Sequence, residues 1–350
     1  MISLLVCGFG ILGASVEVED AIFEPGAKLE VLAADGSGGE GPAWHPEKGL
    51  FTSGNGNICL LDAAGKSTVF RKDAGTNGLL FDAKGRLIAC EPDQHRVTRT
   101  ELDGKITVLA DKFTATPEKG EGKKGGGGGN KGEAKKAEPK RFNSPNDVTV
   151  DSQGRIYFSD PRYGKRDDME IFDSKGRTIE GVYRIDGEDK VKRVVGREVE
   201  RANGVLVSPN DQYLFVADNN NDTVGGARKL WRFQLKKDGT VDFSRKYLVY
   251  DWGKGRGPDG VKQDAKGRLY VAAGLNKPNP PFEPAPDVKG GIYVLSEDGK
   301  LLAFLPVPTD EVTNCAFGGD DLRTLFITAG GAIYRIRTVT PGRVVWPPRK

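Results

Sequence analysis

The chain has 350 residues, 52 of them Lys or Arg against 49 Asp or Glu, giving a net charge of +3. A length of this order suits one closed radial β-architecture with an ample core, and the near-balance of charge excludes the large positive field of a nucleic-acid binder. The segment 118–140 alone holds seven Lys and four Glu, which accounts for the whole excess, so the expected partner is a small molecule.

In chain order, Ile2 to Ala14 is an apolar run with no charge before Glu17, too short to span a bilayer and about the length of a signal-peptide core. Gly13, Ala14 and Ser15 supply small residues for cleavage, although the start lacks the Lys or Arg of an n-region. Residues 1–15 are therefore expected to be a leader and the mature protein to be secreted or periplasmic, with the cytoplasm as the alternative. Beyond it, Cys59, Cys90 and Cys315 show no C-x-x-C spacing, which argues against zinc. Buried free thiols are expected, with a Cys59–Cys90 bridge left open.

From residue 40 onward the chain repeats. Six stretches open on a side chain bearing a carboxylate or amide oxygen and run into a short β-rich segment: Glu40-Gly-Pro-Ala-Trp, Asn77-Gly-Leu-Leu-Phe, Asn146-Asp-Val-Thr-Val, Asn203-Gly-Val-Leu-Val, Asp259-Gly-Val-Lys-Gln and Asn314-Cys-Ala-Phe-Gly. The last three intervals are 57, 56 and 55 residues (203−146, 259−203, 314−259), the signature of one small sheet repeated about an axis. Five residues past a ring position stand Asp82, Asp151 and Asp264, each followed by x-x-Gly-Arg. The Asp accepts backbone N–H bonds and the Gly takes a left-handed conformation, so each is a hairpin into a second strand.

Third strands follow, as in Gly181-Val-Tyr-Arg-Ile and Ala332-Ile-Tyr-Arg-Ile, then Asp-Gly turns at 103, 186, 238 and 298 into fourth strands. Six repeats of four antiparallel strands predict an all-β, six-bladed β-propeller over residues 27–338. The sixth repeat stops after three strands, and Ala27 to Ala33 is expected to supply the fourth and close the ring, removing exposed edges. The 69-residue interval from Asn77 to Asn146 carries a Gly- and Lys-rich insertion, 116–140, too poor in apolar residues to order itself and expected near the mouth of the channel.

In a propeller the first strand of each blade lines the channel, so Glu40, Asn77, Asn146, Asn203, Asp259 and Asn314 converge. Gly41, Gly78, Gly204 and Gly260 follow four of them and permit close backbone approach. A ring of hard oxygen donors is what Ca²⁺ requires. Glu91, Asp160 and Asp218 follow second strands and could reach the mouth, although a solvated or turn role is the expectation. With only His45 and His95 in the chain, a His-based zinc site or a Ser-His-Asp hydrolase is disfavoured.

The register of Glu40-Gly-Pro-Ala-Trp, Arg141-Phe-Asn-Ser-Pro-Asn-Asp147, Tyr157-Phe-Ser-Asp-Pro-Arg-Tyr-Gly164, Ala202-Asn-Gly204, Pro258-Asp-Gly260 and Thr313-Asn-Cys-Ala-Phe-Gly-Gly319 resembles the gluconolactonase and regucalcin (senescence marker protein) family. That resemblance implies a six-bladed propeller, a divalent cation in the channel and hydrolysis of sugar lactones. It places metal ligands on Glu40, Asn203 and Asp259, with Asn146 beside the metal or touching substrate. The cation is expected to be Ca²⁺, or another divalent ion such as Zn²⁺, Mg²⁺ or Mn²⁺. Asp259 is the expected general base. Asn77 and Asn314 complete the ring as sugar contacts or as a plug. In regucalcin-like members an Arg stands two residues before the Asn equivalent to Asn146, where this chain has Ser144; Arg141, three residues further back, is the remaining candidate for that contact. Two other readings keep the fold: an esterase or phosphotriesterase on the same metal, and a non-catalytic carbohydrate- or protein-binding propeller.

Overall fold

A computed structural model describes residues 21–115, 138–187 and 190–345. The expected leader and most of the 116–140 insertion lie outside these residues. Within them the architecture is six antiparallel four-stranded sheets around an axis, and the only helical element is a single 3₁₀ turn, Pro92–Gln94. The innermost strands of blades 1 to 6 are Glu40–His45, Leu79–Phe81, Val148–Val150, Ala202–Val207, Val261–Gln263 and Val312–Gly318. In blades 1 to 5 the four strands are consecutive in sequence.

Blade 6 is closed from the other end of the chain. Its three sequential strands, Val312–Gly318, Thr324–Ala329 and Gly331–Arg337, are joined by Glu30–Gly38. This strand starts and ends later than the alternation of residues 27–33 suggests, because it continues through two irregularities, between Val31 and Ala33 and between Ala33 and Gly38. Gly38 lies against blade 6 so closely that a Cβ there would stand 2.3 Å from the Ala332 carbonyl oxygen.

The hairpin turns form as their chemistry requires. Asp82 Oδ1 accepts the N–H groups of Lys84 and Arg86 at 2.9 and 3.0 Å, and Arg86 Nε donates to Oδ2 at 2.8 Å. Asp264 does the same for Lys266 and Arg268 at 2.9, 3.0 and 2.7 Å. The glycines of these turns have φ of 74° and 85°. All of these hairpins lie at one end of the channel, so the ring residues, at the start of the inner strands, lie at the other.

The apolar core sits between blades. Phe113, Phe142, Phe158 and Tyr183 interlock edge to face and stacked at 5.0 to 5.7 Å, joined by Ile88 and Val97 of blade 2. Cys59, Cys90 and Cys315 are all buried and free, so no disulfide contributes among the described residues. The insertion leaves from a two-stranded ribbon in which Lys112–Phe113 pairs with Lys140–Arg141, between the outer strand of blade 2 and the inner strand of blade 3.

Candidate active site

Contacts between successive strand starts run unbroken round the circle. A Cβ on Gly41 would lie 2.1 Å from the Asn77 carbonyl oxygen, and one on Gly78 would lie 2.6 Å from that of Asn146. The Val205 N–H donates to Asp147 Oδ2 at 3.2 Å, joining blade 3 to blade 4. A Cβ on Gly204 would lie 2.1 Å from the Asp259 carbonyl oxygen and one on Gly260 would lie 2.0 Å from Asn314 Oδ1. The circle closes where Asn314 Nδ2 donates to Glu40 Oε2 at 3.2 Å. Glycine is required at these steps because any side chain would push adjacent blades apart.

Two carboxylates meet in this ring. Burial pushes Glu40 up to about 7, with the charge of Asp147 adding to it against a hydrogen bond from the Gly41 N–H. Burial also holds Asp259 well above the usual carboxylate range, and the nearby charge of Glu40 raises it further. Paired buried carboxylates that disfavour each other's charge are what an added cation relieves. Asp259 is buried, whereas Glu40 keeps part of its surface open to the channel.

The amides divide into two kinds. Asn203 donates from Nδ2 to the Tyr163 hydroxyl at 2.9 Å, which leaves its buried Oδ1 without a hydrogen-bond partner. Asn77 Oδ1 is likewise buried and unpartnered, and the Asn146 side chain makes no hydrogen bond among the described residues. These oxygens retain their lone pairs for a ligand. Asn314 is spent within the protein: Nδ2 serves Glu40, and Oδ1 accepts from the Cys315 N–H at 2.9 Å and from Lys262 Nζ at 3.2 Å. The two carboxylates and the free oxygen of Asn203 are hard oxygen donors, the chemistry that a divalent cation takes. Among the described residues no three His, Cys, Asp or Glu side chains gather as a metal centre, so such a cation has to draw on amide oxygens as well.

Arg141 stands apart from this ring. It is half-buried, donating to the Asp168 carbonyl at 2.9 Å and pairing with the Asp168 carboxylate at 3.3 Å, on the ribbon that flanks the insertion. The carboxylates after second strands are neither solvated nor turn formers. Asp160 is fully buried and accepts the N–H groups of Asn143 and Ser144 at 2.9 and 2.7 Å, and Asp218 accepts those of Glu200 and Arg201 at 3.0 and 2.9 Å. Each therefore holds the loop that delivers a ring residue, Asn146 or Asn203. Glu91 is buried between Arg71, Arg96 and Thr98.

Four residues near the ring receive no role from the sequence motifs. Lys262 enters the channel from an inner strand, and Asp147 faces it at 3.9 Å. Tyr163 orients Asn203, and Arg256 holds Asp259. Lys262 carries the clearest sequence signal, a cation in the middle of an innermost strand where packing calls for apolar residues. Its side chain also lines a cavity of about 830 Å³ at the hairpin end, walled by Trp44, Leu80, Leu206 and Phe317, which contains none of the ring residues.

Fold and site together define a six-bladed propeller with a carboxylate pair at the strand-start end of its channel. The chain belongs to the SMP-30/Gluconolactonase/LRE-like family, whose profile matches residues 38–331. It is 28% identical over 349 residues to a gluconolactonase of Zymomonas mobilis, covering 92% of this chain and 85% of that protein. Among solved structures it is similar to a gluconolactonase of Xanthomonas campestris, at 26% identity, a TM-score of 0.66 and coverage of 89% and 90%. The fold is also that of a calcium-binding regucalcin of Agrobacterium tumefaciens, at 18% identity, a TM-score of 0.63 and coverage of 90% and 95%.

Proposed function

We propose that this protein is a divalent-cation-dependent lactonase that opens a sugar lactone of the gluconolactone type. The observation that carries the reading is the convergence of the buried Asp259 and the partly open Glu40, two carboxylates with raised pKa, beside the unpartnered Oδ1 of Asn203. The gluconolactonases of Zymomonas mobilis and Xanthomonas campestris supply the reaction class, and the calcium-binding regucalcin the kind of ion.

Glu40, Asn203 and Asp259 would hold the cation, with Asn146 beside it. When bound, such an ion supplies Lewis-acid polarisation of a carbonyl oxygen. The chain does the rest. Asp259 takes a proton from the attacking water, whose oxygen bonds to the lactone carbonyl carbon. As the ring C–O bond breaks, the proton returns to the departing ring oxygen, leaving a hydroxy acid. Asn77 and Asn146 have free amide groups to hydrogen-bond sugar hydroxyls, a task for which Asn314 has none left. Arg141, committed to Asp168, reaches substrate only if that pair opens.

A pH-stat assay over a panel of aldonolactones, simple lactones and aryl esters, with and without chelator, tests the proposal. Acid release from aldonolactones that chelator abolishes and Ca²⁺ or another divalent ion restores is the expected result. Release unaffected by chelator refutes the cation requirement, and no release refutes the activity.

A further inference from the structure

Asp259 sits in the sequence Gly255-Arg256-Gly257-Pro258-Asp259-Gly260, and all three glycines are pressed against other elements. A Cβ on Gly255 would lie 2.3 Å from Val288 Cβ, and one on Gly257 would lie 2.9 Å from both Arg228 Cα and Asn219 Oδ1. With Gly260 against Asn314, the whole turn is clamped. Arg256 is buried within it and accepts the Gly274 N–H at its carbonyl oxygen, 3.2 Å away.

The Arg256 guanidinium has two protein partners among the described residues, both carboxylates and both reached from Nη2: Asp259 Oδ2 at 3.2 Å and Glu311 Oε2 at 3.0 Å. Its Nε and Nη1 are buried without hydrogen-bond partners, so those two carboxylates make its only ion pairs among the described residues, with the charges of Glu283 and Tyr163 acting on it from further away. Glu311 is exposed at the mouth, on the loop entering blade 6. Asp259 has no other side-chain hydrogen bond, which leaves Oδ1 free on the side away from Arg256. Glu40, by contrast, is held by an amide and a backbone N–H.

Building on the cation reading above, we infer that Arg256 is a positioning residue for Asp259. Anchored from outside by Glu311, it ties down Oδ2 and presents Oδ1 to the ring. The charge of Arg256 and its positioning act on a cation in opposite directions. A guanidinium beside the site repels a divalent ion, so removing a mere charge tightens cation binding. Removing the brace frees the Asp259 carboxylate to rotate, which weakens binding by an amount typical of an outer partner of a ligand, about 10- to 100-fold.

Isothermal titration of Ca²⁺ into the full-length protein, and into its R256K, R256M and E311Q variants, separates these effects. The expected result is weakening of about tenfold or more in R256M and a smaller loss in E311Q. R256K, with its charge kept but its planar fork gone, should be weakened and not rescued. Unchanged or tighter binding in R256M, or full affinity in R256K, overturns the inference. Should either Arg256 variant fail to fold, E311Q decides, and wild-type affinity there overturns it equally. Wild-type protein that binds no divalent ion refutes the cation reading itself, a different failure from a wild type that binds and variants that match it. Where lactone opening is present, the same variants should lose kcat more than they raise KM.

Discussion

Lys262, on the innermost strand of blade 5, reaches across the channel to Asp147 of blade 3, its ammonium 3.9 Å from the carboxylate and 3.2 Å from Asn314 Oδ1. Asp147 is buried and also accepts the Val205 N–H, so this one pair ties blades 3, 4, 5 and 6 below the ring. Removing one partner of a buried pair leaves an uncompensated charge. K262M should therefore destabilise the protein by about 3–5 kcal/mol, and the double variant K262M/D147N should recover most of the loss. Urea unfolding of the four members of the cycle measures the coupling, and additive effects would show that the two residues act independently.

E40Q and D259N should lower lactone opening by about 10²- to 10³-fold, the scale of losing a principal electrostatic contact in a reaction centre. Both should fold, since each change removes a buried charge that the other disfavours. In thermal scans the wild type should gain Tm on addition of Ca²⁺ and the variants should not. A variant that keeps both its activity and its Ca²⁺ shift contradicts the assigned ligands.

Gly204 has no backbone conformation that demands glycine, so its requirement is purely one of space beside Asp259. G204A should cost about 3 kcal/mol, in the upper range for overpacking, and should also disturb the site. G154A, at a turn with φ of 79° and open space around it, should cost only about 1 kcal/mol from backbone strain. Comparable losses of Tm in the two would mean that blades 4 and 5 yield more easily than their contact suggests.

Burial pushes Asp160 up to about 7 from an ordinary value of 3.8, against the N–H bonds it accepts from Asn143 and Ser144. A carboxyl raised on folding keeps its proton in the native state over the range where the unfolded chain has lost it. Its contribution is therefore full below pH 4 and declines as pH rises toward 7. Asp218, raised to about 6 by burial, acts in the same direction over a narrower window. D160N should flatten the fall of Tm between pH 4 and 7 relative to wild type, measured as the difference between the two profiles. Parallel profiles would show that Asp160 does not titrate there.

What the sequence revealed about the fold was governed by local chemistry. Asp82, Asp151 and Asp264 find their partners within four residues, so the hairpins and the blade period could be read directly. The ring positions followed from that period. Their roles did not: Asn314 resembles Asn203 in sequence position, yet it is consumed by Glu40 and Lys262, which arrive from blades 1 and 5. Arg256 lies between two glycines, but its link to Glu311 joins residues 55 positions apart (311−256), a pairing no local pattern encodes. Glu91, Asp160 and Asp218 misled for the same reason, because the N–H groups and arginines that justify burying them belong to other strands.

The pairing of Glu30–Gly38 with Gly331–Arg337 also fixes when this molecule can become whole. During translation the earliest of these strands must wait, unpartnered, until nearly three hundred further residues have left the ribosome (331−38). Blades 1 to 5 can assemble on the way, each from neighbouring sequence, but Asn314 reaches Glu40 only at the last step. A chain stalled after blade 5 thus carries an unpaired first strand and a Glu40 without its Asn314 partner, so the ring stays open in that copy.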